Sequence, residues 1–222
     1  MRIYKKFAAL FLGLALTVPS GWASPENPTD VKEIIDVVEA TYGSATSIRA
    51  DFLQVDRSKA LGTEVRQRGK IALERPQKMR VEMGLPATQI YVSDGKTMWS
   101  YSVKDKVVYE SPEIGGGGGM NILLEDLGRL GELFNVTLLP EKPPGKPSVT
   151  VQLVPKQPGA FKSLELTLSK PKYVLQDLVL VNQFDDVTEM SFTAVRMNQD
   201  IPDAEFTFTV PPGVKLVKTG AM

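Results

Sequence analysis

Cysteine and histidine are both missing from the 222 residues. Without cysteine there can be no disulfide and no thiolate nucleophile, and without histidine every mechanism that relies on an imidazole base falls away, together with Cys/His zinc sites. Net charge is absent as well, because 26 basic and 26 acidic side chains cancel. After the first few residues no block of lysine or arginine interrupts the chain, so neither nucleic acid nor an anionic headgroup surface finds a linear footprint. Hydrophobic residues at 42% and charged residues at 23% are globular values. The absences therefore exclude chemistries, not a fold.

Long apolar runs are also scarce, and the one present stands at the start. Arg2, Lys5 and Lys6 precede an apolar run from Phe7 to Val18, and the small residues Gly21 and Ala23 follow. This pattern predicts a secretory signal peptide over residues 1–23, cleaved before Ser24; the run is too short to cross a hydrocarbon core of ~30 Å as a helix. A lipid-anchored product would need a cysteine at its new N-terminus. Removing this segment takes away three positive charges and no negative one, leaving the remainder at −3. Residues 24–222 are long enough for one substantial core, and we expect a single soluble domain beyond the inner membrane.

Asp30 followed by Glu33, with Val31, Ile34, Ile35, Val38 and Tyr42 at helical spacing up to Gly43, predicts an amphipathic helix over 30–42. A sheet is the natural partner for its apolar stripe. From Ser47 the period becomes two, and further strands are expected near 65–74, 78–83, 88–93, 97–102, 106–110, 134–139, 148–154, 163–168, 174–183 and 187–197. Leu164, Leu166 and Leu168 alternate with Glu165 and Thr167 as in a sheet wet on one side. Asp94-Gly95 predicts a two-residue primed turn with positive φ at both centres. Eleven antiparallel strands accumulate twist, so the sheet should curl into a barrel or part of one. Gly115 to Gly119 read as a hinge or mobile loop, and residues 121–133 as a short apolar helix weakened by Gly128 and Gly131. Pro140 to Pro147 reads as a loop, and the tail around Lys218 as frayed.

Candidate catalytic constellations fail on spacing. Ser169-Lys170-Pro171-Lys172, Ser93-Asp94-Gly95 and Lys218-Thr219-Gly220 imitate a serine acyltransferase, but that chemistry places its serine and lysine one turn apart on a helix, and Pro171 sits inside this candidate. Asp185-Asp186 and Glu125-Asp126 are adjacent acids that would point apart or form a turn, not face each other across a sugar. The glycine run lacks a following Gly-Lys-Ser/Thr and so cradles no phosphate, and no acidic spacing suits calcium. Aromatics and methionines concentrated in the first six strands read as ordinary core or, because two short helices can hardly cover a curled sheet, as the lining of a ligand cavity.

Phe52-x-Gln54, Gly69-Lys70-Ile71-Ala72-Leu73-Glu74-Arg75-Pro76, Val92-Ser93-Asp94-Gly95-Lys96-Thr97-Met98-Trp99-Ser100-Tyr101, and Phe206-Thr207-Phe208 ahead of Pro211-Pro212-Gly213-Val214 follow the signal and helix in that order. Over nearly the whole mature chain this order resembles the LolA family of periplasmic outer-membrane lipoprotein carriers. The resemblance implies a mainly β fold: an unclosed, half antiparallel β-barrel of the LolA/LolB kind, about eleven strands, covered by short α-helices as a lid. It implies no enzymatic activity and no cofactor. Its partners would be acylated lipoproteins, an inner-membrane ATP-driven transporter that releases them and an outer-membrane acceptor lipoprotein, with the carrier acting as a monomer. A non-carrier lipid-binding or envelope-sensor module on the same fold is the alternative.

The same resemblance maps a lid-holding arginine onto Arg75. Candidate cavity residues are Phe52, Ile71, Leu73, Met79 and Val81, together with Ile90, Val92, Met98, Trp99 and Tyr101. Candidate lid residues are Ile34, Ile35 and Val38 on the first helix and Leu123, Leu124, Leu127 and Leu130 on the second. The chain departs from the family at Met79 and Val81, where aromatics are common.

Overall fold

A computed structural model describes residues 30–112, 120–140 and 147–219. The expected signal segment, the glycines at 115–119, most of the Pro140 to Pro147 stretch and Gly220 lie outside the described residues. The first helix, α1, spans Val31–Gly43. The Asp30 carboxylate accepts from the Lys32 amide at 3.1 Å, satisfying an N-terminal donor, and Ser44 closes the other end through its amide and hydroxyl on the Ala40 carbonyl.

Six strands follow as a meander: β1 Ser47–Ser58, β2 Thr63–Glu74, β3 Lys78–Met83, β4 Gln89–Asp94, β5 Thr97–Ser102 and β6 Val107–Pro112. After the lid segment at 120–133 come β7 Phe134–Leu139, β8 Ser148–Pro155, β9 Phe161–Ser169, β10 Val174–Asn182 and β11 Val187–Met197. The expected ranges agree with these to within about two residues. With a last strand, β12, at Lys215–Lys218, all belong to one twelve-stranded sheet in the order β12-β6-β5-β4-β3-β2-β1-β11-β10-β9-β8-β7. Its two edges, β12 and β7, do not meet, so the barrel is unclosed. The two meanders join where β1 pairs with β11, from Ile48↔Met197 to Arg57↔Val187.

Three local expectations are corrected. The tail does not fray: β12, Lys215–Lys218, pairs parallel with β6, and the Thr219 amide donates to the Glu110 carbonyl at 2.8 Å. Four residues flanked by lysines carry no strand pattern of their own; β6 supplies the template. Asp94 and Gly95 are not the two centres of a two-residue turn: the last β4–β5 pair is Ser93↔Met98, and of the four residues 94–97 between them Gly95 alone takes positive φ, +90°. The Asp94 carboxylate caps the connection instead, accepting from the Lys96 and Thr97 amides at 2.8 Å each. Finally, residues 121–133 are not one helix. They form 3-10 turns at Met120–Leu123 and Leu127–Arg129 and a single α-turn, α2, at Leu130–Leu133. Gly128 and Gly131 cost helix stability, and tertiary packing fixes the tighter path.

The strand period of two gives the sheet distinct inner and outer faces. Inner side chains Ile48, Ala50, Phe52, Ile71, Leu73, Met79 and Val81 join Val151, Leu153, Leu164, Leu166 and Leu168 from the other meander in one buried cluster with α1. The outer face is not uniformly wet. Thr150 and Thr167 are buried there, their hydroxyls 3.3 Å apart. Residues 198–214 cover β2 to β5 from outside. Ile201 and Phe206 pack on Ala72, and Phe208 lies against Trp99 and Tyr101 with ring centroids at 6.2 and 5.8 Å. Arg49 grips Glu205 through both carboxylate oxygens, and Lys78 reaches Asp203 at 2.6 Å.

Candidate functional site

The lid is built from α1 and the segment 120–133, laid over the inner face. Helical spacing brings Ile34, Val38 and Tyr42 inward to near-complete burial, while Ile35 is half-buried beside Gly131. Ile122, Leu123, Leu124, Leu127 and Leu130 are buried in the same cluster. The two lid segments touch backbone to backbone, since a Cβ added at Gly128 would stand 2.9 Å from the Gly43 Cα. No residue larger than glycine allows that approach. The Glu39 carboxylate accepts from the Gly131 amide at 2.7 Å and adds a second tie.

Arg75 stands at the end of α1, beside the close of the 3-10 turn Met120–Leu123. From the turn between β2 and β3 its guanidinium donates to the Gly43 carbonyl at 2.7 Å, to the Tyr42 carbonyl at 3.3 Å and to the Leu124 carbonyl. Carbonyls at a helix C-terminus lack intrahelical donors and carry partial negative charge, so a planar cation with five N–H groups suits them. The Glu125 carboxylate lies 3.7 Å from Nε, too long for a hydrogen bond. The fork thus joins β2, α1 and the leucine segment at one point.

Tyr42 fastens the lid to the opposite wall. Its phenolic oxygen accepts from the Leu175 amide at 2.8 Å, and burial pushes its pKa up to about 12 despite that bond. Ionisation therefore costs about 3 kcal/mol more in the folded chain than in the unfolded one. Because the folded value is raised, this contribution is complete below pH 10 and is lost as pH rises toward about 12. Urea unfolding across that interval should show the loss, and Tyr42→Phe should remove this part of the pH dependence. An unchanged alkaline profile would exclude Tyr42 as its source. Asp126 beside the lid is raised chiefly by burial, with Arg129 opposing and Glu125 adding.

Of the candidate cavity residues, Phe52, Ile71, Leu73, Met79, Val81 and Met98 lie on the inner face and belong to or pack on the core. Ile90, Val92, Trp99 and Tyr101 do not. Registers Arg80↔Val92, Glu82↔Ile90, Val92↔Trp99 and Ile90↔Tyr101 put all four on the outer face under the 198–214 segment. Both faces of β4 and β5 are covered, so apolar alternation there gave the wrong parity. Gln89, Tyr91, Ser93 and Ser100 take the inner positions. Sequence reading also missed most of the apolar wall opposite: Val151, Leu153, Leu164, Leu166, Leu168 and Phe192. The Leu-x-Leu-x-Leu run could have signalled it.

The arrangement offers an apolar interior filled by the lid's own leucines and isoleucines. An apolar ligand can enter by exchanging contacts with them. Among the described residues no cluster of three or more acids, histidines or cysteines could hold a metal ion. No helix among them is long and apolar enough to cross a membrane.

Comparison with known proteins places this geometry. The family described as outer membrane lipoprotein carrier protein LolA matches residues 43–209. An outer-membrane lipoprotein carrier protein of Legionella pneumophila is 28% identical over 186 residues, covering 82% of this chain and 89% of the relative. One from Azotobacter vinelandii is 31% identical over 184 residues, covering 78% and 83%. Among solved structures, an uncharacterized conserved protein from Thermus thermophilus superposes with a TM-score of 0.53 at 15% identity, covering 85% of this chain and 98% of that one, which is a likeness of fold.

Proposed function

Since the chain belongs to the LolA family of outer-membrane lipoprotein carriers, we propose that it is a periplasmic carrier that takes the acyl chains of lipoproteins into its apolar interior and ferries them to the outer membrane. Family members are carriers, not enzymes. The observation that carries the reading is an aliphatic interior roofed by two separate segments, both held through backbone carbonyls by one cation, Arg75. In this role Arg75 holds the lid shut when no cargo is bound. An inner-membrane ATP-driven transporter supplies the lipoprotein, an outer-membrane acceptor lipoprotein receives it, and the carrier works as a monomer after loss of residues 1–23.

Burial energetics favour a carrier whose interior is already occupied. Each buried methylene contributes ~0.8 kcal/mol, so an empty cavity would hold long acyl chains too tightly to release them. Here Leu123, Leu124, Leu127 and Leu130 are themselves nearly fully buried in the interior. Cargo gains only the difference between its own contacts and theirs, which keeps affinity within reach of a tighter acceptor.

Incubation with spheroplasts is the direct test. A newly made lipoprotein should appear in the soluble fraction in complex with this protein, and a fluorescent fatty-acyl probe should bind it saturably. Folded protein that neither releases lipoprotein nor binds the probe would remove the carrier reading.

A further inference from the structure

Strand directions divide the hairpin connections between two rims of the sheet. Arg75, the end of α1 and the β4–β5 connection share one rim. The connections β1–β2, β3–β4, β5–β6, β8–β9 and β10–β11 lie at the other. Three of these, on the contiguous strands β4-β3-β2-β1-β11-β10, each lift one large apolar side chain into solvent: Leu61 at 76% exposure, Leu85 at 69% and Phe184 at 80%. No other large hydrophobic side chain among the described residues exceeds 50%.

These tips are held out by construction. Asn182 Oδ1 accepts from the Phe184 and Asp186 amides at 2.8 and 2.9 Å, fixing that turn. Asp185 takes Lys59 Nζ at 2.9 Å and also Lys162, while Asp186 Oδ1 accepts the Lys59 amide at 2.9 Å. The Leu61 and Phe184 turns are thereby tied to each other. The Leu85 turn is pinned by the Gly84 amide on the Arg68 carbonyl and the Thr88 amide on the Met83 carbonyl, both 2.7 Å.

Lysines surround the tips. Lys59, Lys104, Lys106 and Lys156 stand in the turns of this rim against Asp105, Asp185 and Asp186, and one residue into the hairpin strands Arg57 and Lys162 stand against Glu64 and Glu82. Six cations against five anions leave the rim a small positive excess, although the lysines are scattered through the sequence. Long lysine stems can reach past an apolar tip while keeping their ammonium groups at a polar surface.

We propose that this rim is a membrane-contact surface, which docks on a bilayer carrying anionic headgroups by inserting Leu61, Leu85 and Phe184 among lysines that meet the phosphates. Separate protruding points interspersed with charge suit a fluid surface that closes around each of them. Docking does not depend on whether the interior carries acyl cargo, and the two can fail separately.

Vesicle flotation of the purified protein tests it, using phosphatidylglycerol/phosphatidylethanolamine vesicles beside neutral phosphatidylcholine ones. The protein should float with the anionic vesicles and lose binding as salt is raised. Leu61→Ser, Leu85→Ser and Phe184→Ser should each weaken binding roughly tenfold, with fatty-acyl probe binding unchanged. Phe184→Trp, which keeps an aromatic tip, should blue-shift its emission on anionic vesicles. No flotation, flotation undiminished in the serine variants, or a tryptophan that stays water-exposed on the vesicles would each overturn the proposal.

Discussion

Arg75→Leu should raise the affinity for a fatty-acyl probe roughly 30-fold and slow its transfer to an acceptor by a similar factor. The guanidinium donates to three carbonyls, on Tyr42, Gly43 and Leu124, that belong to the two lid segments. Hydrogen bonds from a charged donor contribute ~1.5 to 3 kcal/mol each when well shielded. The side chain remains 28% exposed, so we take about 2 kcal/mol for the set. That loss falls on the closed, empty state alone if cargo parts the two segments, and a ligand that competes with closure gains what closure loses. Hydrogen exchange at 122–130 should quicken in the empty protein. Arg75→Lys should lie between, because one ammonium cannot span carbonyls on both segments as the fork does. Probe affinity and transfer equal to wild type would show that the contact does not latch the lid.

Gly69→Ala should cost the fold roughly 2 to 4 kcal/mol, a loss large enough to deplete the folded protein in cells. An added Cβ would lie 2.4 Å from the Glu82 carbonyl oxygen on β3 and 2.4 Å from Cζ of Phe52, whose ring covers the glycine. One neighbour is backbone and cannot yield without breaking the Gly69↔Met83 end of the β2–β3 ladder. The other is a buried core ring. Phe52→Leu in the Gly69→Ala background should recover part of the loss but not all, since only one of the two obstacles is removed. Urea unfolding of the two single variants and the double variant measures the coupling, and strictly additive losses would mean that ring and methyl do not meet.

Much of this fold was legible because its strands obey local rules. Lys78–Met83, Thr97–Ser102, Phe134–Leu139 and Val187–Met197 were placed to the residue by alternation and turn residues alone. Which way a strand faces is a different question. Ile90, Val92, Trp99 and Tyr101 look like lining residues, yet Phe206 and Phe208, more than a hundred residues later in sequence, cover that side of the sheet. Alternation reports that a face is covered, not by what. Gly128 was visible only as a helix breaker, whereas its structural use is the contact with Gly43, a distance no local pattern encodes. The carbonyl contacts of Arg75 are likewise tertiary: the motif Arg75-Pro76 marks the residue, and only the folded lid supplies its acceptors.

The two edges of the sheet have unequal protection against self-association. At one end β12 covers β6 and brings Lys215 and Lys218 to the border, charges that discourage a further strand from adding. At the other end β7 reads Phe-Asn-Val-Thr-Leu-Leu, with no charge and with Leu138 exposed. Segments of this composition are templates for intermolecular β-pairing. What limits the template is Pro140, directly after it, which has no amide to donate to a further rung beyond Leu139. This proline, which reads as the start of a plain connection, therefore also serves as a gatekeeper for the barrel's open seam.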